Sequence, residues 1–151
     1  MPDPLLDRLF SAAGTLALVG WIALAASPLR PRLAQALAAW IVPGLLAALY
    51  AGLIALFWGE STGGFGSLDE VSALFGHRGL LLAGWIHYLA FDLHVGAWEA
   101  REAGRIGLPH WSILPALALT FLFGPAGLLV FLALRAARLR GSFARPQGAL
   151  S

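Results

Sequence analysis

Four stretches of this 151-residue chain stay apolar for about the thickness of a bilayer, and that constrains its fold more than any other feature. A hydrocarbon core is crossed by about 20 predominantly apolar residues in helical form. The four runs cover residues 9–26, 36–58, 79–98 and 111–134. Pro and Gly inside them do not exclude a span, because neighbouring helices re-satisfy the backbone groups they free. Only 12% of the residues are charged, against about 25% in soluble domains, which leaves too little polar surface to coat a soluble globule. The pattern predicts one domain, an all-α integral membrane four-helix bundle over residues 1–151. The acidic start, Asp3 and Asp7, argues for a first span rather than a cleaved signal peptide.

The connectors add detail. "SLDEVSALF" reads as a short amphipathic interfacial helix between helices 2 and 3, with Ser67 as N-cap and Glu70 three residues on. Residues 135–151 form a basic tail. Four crossings place both termini on one side, and the tail arginines assign that side to the cytoplasm. A net charge of +2, scattered along the chain, gives no nucleic-acid face. There is no cysteine, so thiolate chemistry is excluded. In the second run Gly44, Ala48 and Gly52 form a ridge of small residues suited to close helix packing.

The third run, which includes "GWIHYLAFDLHVGAWE", carries His87, Asp92 and His94 inside an apolar helix. An Asp at the centre of a spanning helix costs about 2.5–3.5 kcal/mol, so it is a functional candidate by default. At 100° per residue Trp85, Tyr88, Asp92, Gly96 and Glu99 share one stripe, with His87 and His94 roughly opposite. The two faces cannot both look at lipid, so this helix is expected to be the most surrounded. Arg101 and His110 stand beyond its end, within reach if the chain folds back. The histidines lack the four-residue spacing of a helix metal site, so no metal is expected, and no cofactor. Glycine-rich phosphate loops and the motif of the serine-nucleophile elbow are absent from the sequence.

The set W-x-H-x-x-A-x-D-L, a downstream His, and F-G-P-x-G-L, together with the "SLDEVSALF" connector, resembles the abscisic-acid-deficient-four-like family of small membrane proteins. Its pattern falls on Trp85, His87, Asp92, His110, Gly124 and Pro125; His94 stands where an apolar aromatic is expected and is set aside. The resemblance implies a role in neoxanthin formation and xanthophyll trans-to-cis conversion, as in plant members. Plastid-type targeting is not seen at the N-terminus, which points to a bacterial inner (cytoplasmic) membrane. The expected function is a carotenoid or isoprenoid isomerase, or an isomerase partner, with Asp92, His87 and His110 as acid–base groups. Trp85, Tyr88, Glu99, Arg101 and Pro125 would line the substrate. A non-catalytic lipid- or pigment-binding protein and a small proton-coupled carrier stay open as alternatives. Membrane lipid and a hydrophobic small molecule (a carotenoid or isoprenoid) are the expected partners, with a homo-oligomer or a biosynthetic partner enzyme also open.

Overall fold

The computed structural model describes residues 3–143, and its regular structure there is entirely helical. Six helices follow one another: α1 (Asp3–Ala25), α2 (Pro31–Glu60), α3 (Leu68–Gly76), α4 (Arg78–Arg105), α5 (His110–Phe123) and α6 (Pro125–Phe143). Helices α1, α2 and α4 are long and apolar enough to cross a membrane. Helix α4 is the central one: half of its most apolar window is buried, against 28% for α1 and for α2. It runs for 28 residues, about 42 Å at 1.5 Å per residue.

Pairwise contacts give the directions. Helix α1 runs parallel to α4: Asp7 pairs with Arg78 at 2.9 Å, Phe10 meets Trp85, and Trp21 packs on Gly96. Helix α2 runs antiparallel, with Phe57 against Gly79, Tyr50 against His87 and Gln35 donating to the Ala97 carbonyl at 3.1 Å. After an α-helical start over Pro31–Gln35, α2 is wound as a π-helix over Ala36–Ile41, ending two residues before Pro43. Pro43 has no N–H to give to the Ala39 carbonyl. His94 Nδ1 donates to that carbonyl instead, at 2.9 Å. The connector helix α3 starts as its sequence predicts, with Ser67 Oγ accepting from the Glu70 N–H at 3.2 Å.

The fourth apolar run departs from expectation. The sequence predicts one crossing over 111–134; the structure breaks it at Gly124 and folds the two halves against each other. Gly124 has φ +45°, a conformation L side chains rarely adopt. A Cβ on Gly127 would overlap the Thr120 backbone seven residues earlier, a contact no continuous helix allows. Helix α5 descends along α4, placing Thr120 on Glu99 and Gly124 on Asp92. Helix α6 returns: Phe131 meets Trp98, Arg135 pairs with Glu102 at 2.7 Å, and Arg138 Nε donates to the Ile106 carbonyl at 3.3 Å. The hairpin tip therefore stops about halfway along α4.

Three corrections follow. The described ends of the chain lie at opposite ends of α4, not on one side as four crossings would require. Residues 135–143 of the basic tail continue α6, and 144–151 lie outside the described residues. The small-residue ridge of α2 packs against nothing among the described residues: Gly44 and Gly52 are exposed, with no described atom within 4 Å of an added Cβ.

The reorganised topology also separates charge. At the end where α4 begins, Asp7, Glu60, Asp69 and Glu70 outnumber Arg8 and Arg78. At the other end stand Arg30 and Arg32 at the start of α2, Arg101 and Arg105 on α4, and Arg135, Arg138 and Arg140 on α6, against Glu102. These are called below the acidic end and the arginine end.

Candidate functional site

Because the hairpin fills only the arginine half of the α1–α4 crevice, the acidic half stays open. A cavity of about 480 Å³ occupies it, lined by Leu6, Phe10, Leu81, Leu82 and Trp85, with the Asp7–Arg78 ion pair at its rim. Phe10 and Trp85 remain 50% and 41% exposed, with ring centroids 5.8 Å apart, so the cavity is a groove with an aromatic wall. The wall continues inward, since Trp85 stacks on Tyr88 at 5.4 Å. One turn further stands Asp92.

The Asp92 carboxyl lies against the hairpin tip. A Cβ on Gly124 would stand 2.8 Å from one of its oxygens and 2.9 Å from the other, so only glycine leaves room for it. Oδ2 is buried and makes no hydrogen bond. The Tyr88 hydroxyl donates to the Phe121 carbonyl at 3.4 Å and lies within reach of the same carboxyl. Helix α6 starts at Pro125, so the positive end of its backbone dipole faces the group. Asp92 stands 14 residues from Arg78, about 21 Å along the helix from the groove's charged rim.

The structure gathers some of the sequence candidates and scatters others. Asp92, Tyr88, Trp85 and the exposed Pro125 of the tip belong to one locality. His87 lies on another face of α4, stacked on Phe91 at 4.5 Å and lining a second cavity of about 310 Å³ with Tyr50, Trp58, Phe65 and Phe75. His110 sits at the base of the hairpin. Its Nε2 donates to the Ala25 carbonyl at 3.0 Å, with Nδ1 3.5 Å from Ser27 Oγ. A whole helix, about 21 Å, separates it from the Gly124 tip. The expected fold-back of His110 onto Asp92 is thus absent, because α5 runs away from His110 before it reaches the carboxyl. Arg101 is exposed at the arginine end, donating to Gln35 Oε1 at 2.8 Å, and is also remote.

Glu99 behaves unlike a helix-end carboxylate. It is 0% exposed and takes Thr120 Oγ1 at 3.0 and 3.1 Å from its two oxygens. Thr120 Oγ1 is also 3.0 Å from the Ala116 carbonyl, and its single proton serves one acceptor at a time. The arginines pair instead with Glu102, held by Arg105 and Arg135 at 2.7 Å each. Sequence reasoning did not reach Thr120, Arg135, Phe10 or the Asp7–Arg78 rim. Thr120 alone left a signal, as the one polar residue in "ALALTFLF".

No curated protein and no solved structure matches the chain. A family model does, over residues 8–131. That interval contains Asp92, the whole hairpin tip and the groove's lining apart from Leu6 and Asp7, and it ends within α6 just short of Arg135. The motif set that carried the resemblance, W-x-H-x-x-A-x-D-L with F-G-P-x-G-L, lies inside it, and with most of the chain matched, the protein belongs to the ABA DEFICIENT 4-like family.

Proposed function

We propose that this protein is a membrane-embedded isomerase of a carotenoid or related isoprenoid, in which Asp92 alone supplies and recovers the proton. Family membership carries a role in carotenoid-related processes, and three helices of spanning length and apolarity fit a membrane protein. The observation that carries the finer reading is the Asp92 carboxyl, one oxygen buried without a partner, one helical turn beyond Tyr88, whose ring stacks on Trp85 of the apolar groove. An Asp at mid-helix is expensive in hydrocarbon, and a purely structural one would be paired through both oxygens.

The chemistry needs no second base. Protonated Asp92 adds its proton to one carbon of a polyene double bond, leaving a cation on the conjugated chain. The former double bond then rotates as a single bond. The carboxylate takes the same proton back from the same carbon, restoring the alkene in the other geometry. The faces of Trp85 and Tyr88 border the cation's path, where ring quadrupoles favour positive charge. The start of α6 presents its positive dipole end to the transient carboxylate.

The test is Asp92→Asn in a carotenoid-producing host. General acid–base groups contribute about 10²–10⁴-fold in rate, so cis product is expected to fall by at least about 100-fold while pigment still co-purifies. Undiminished conversion by the variant would overturn the acid–base reading. The second reading, a non-catalytic binder, is favoured by the remoteness of His110 from Asp92; purified wild-type protein that holds pigment and never converts it would establish that reading.

A further inference from the structure

The groove is attached to one end of a molecule whose two ends differ in sign. Its rim is the Asp7–Arg78 pair of the acidic end, and further along α4 the hairpin tip that rises from the arginine end meets Asp92. Which side of the membrane each end faces therefore decides where the ligand comes from.

Arginines close to helix ends in short connectors are retained on the cytoplasmic side. Both connectors at the arginine end are short: residues 26–30 between α1 and α2, and 106–109 between α4 and α5. Arg30 and Arg32 are exposed and flanked by Leu29 and Leu33, themselves 83% and 53% exposed. That arrangement suits a turn whose leucines enter hydrocarbon while its guanidinium groups meet phosphates. Trp111 at this edge and Trp58 at the other are both exposed, as expected of residues marking two interfaces.

We infer that the arginine end seats on the anionic phospholipid headgroups of the cytoplasmic leaflet, so that the Asp92 groove opens into the outer leaflet and draws its isoprenoid laterally from there. The inference rests on the membrane placement proposed above. On the inner-leaflet side the hairpin lies in the crevice, with Phe121 edge-on to Trp21 at 5.5 Å, and leaves a smaller cavity of about 360 Å³ between α1 and α5. On the outer-leaflet side Phe10 and Trp85 stand half open to the surrounding chains. An isoprenoid with a polar end group fits this geometry, that group resting at the Asp7–Arg78 rim and the chain running about 21 Å inward to Asp92.

The chain contains no cysteine, so single cysteines report sidedness without background. Thr62→Cys marks the acidic end, in the exposed connector after α2. Gly104→Cys marks the arginine end, at an exposed position where an added Cβ meets nothing within 4 Å. Spheroplasts are treated with a membrane-impermeant maleimide before and after lysis. Thr62→Cys is expected to react before lysis and Gly104→Cys only after it. The reverse pattern overturns the orientation while leaving the membrane reading intact. Reaction of both only after lysis, with the protein in the soluble fraction, overturns the membrane placement and this inference with it.

Discussion

Gly124 is bound by two independent constraints. Its φ of +45° is open to glycine and strained for any other residue, and the Asp92 oxygens stand where a Cβ would go. Gly124→Ala is expected to cost about 1–3 kcal/mol, read as a lower midpoint in denaturant titration of the detergent-solubilised protein, and to disturb Asp92 as well. An unaltered midpoint would mean the tip is not built this way. His94 gives a second case. Its Nδ1–H satisfies the Ala39 carbonyl that Pro43 leaves without a donor, so His94→Phe strands that carbonyl at about 1 kcal/mol. The loss should show in stability and not in turnover; a selective fall in turnover would give His94 the chemical role it lacks here. Asp92 was legible in the sequence because a charge in an apolar run is conspicuous wherever the run goes. The scatter of its expected partners was not, since proximity of His110 depended on the path of α5, and no local pattern encodes that path.

At the scale of elements, hydropathy reveals length far better than direction. Helices α1, α2 and α4 were readable as spans because each is apolar for long enough on its own. The run 111–134 has the same signature, yet Gly124 and Pro125 divide it, and the small Gly127 lets α6 lie on α5. Pro and Gly inside an apolar run ordinarily bend a helix without ending it, whereas here "GPAG" is the turn of a hairpin. Gly127→Val tests that difference: it forces a branched side chain into the Thr120 backbone, and overpacking of this kind costs about 1–3 kcal/mol. The variant should loosen α6 and raise hydrogen exchange along Pro125–Phe143 while α1 and α2 keep their protection. Equal loss of protection in all helices would indicate that the hairpin is not a separable unit. The outward ridge of α2 predicts the opposite outcome. With open space at Gly52, Gly52→Ala should be neutral or stabilising by up to about 1 kcal/mol, since alanine is the better helix former. Destabilisation accompanied by a smaller particle on size exclusion would instead place a second copy on that face.

For the whole molecule, the difference between a fourth crossing and a hairpin is one of parity. Three crossings and a returning hairpin put residue 137 on the same side as residue 104; four crossings put it on the side of residue 62. The hairpin is held in place by Glu102, which accepts from Arg105 and Arg135, and by Arg138 on the carbonyls that end α4. Those contacts close the arginine end and leave the open groove at the other, so the parity of the chain and the position of the site are the same question. Ala137→Cys, at an exposed position of α6, answers it in the cysteine-free background. It should label together with Gly104→Cys and apart from Thr62→Cys whichever way the protein faces in the membrane. If it labels with Thr62→Cys, then α5 and α6 are one span, Gly124 is a kink within it, and the crevice beside Asp92 is filled along its whole depth, with no groove left for a ligand to enter.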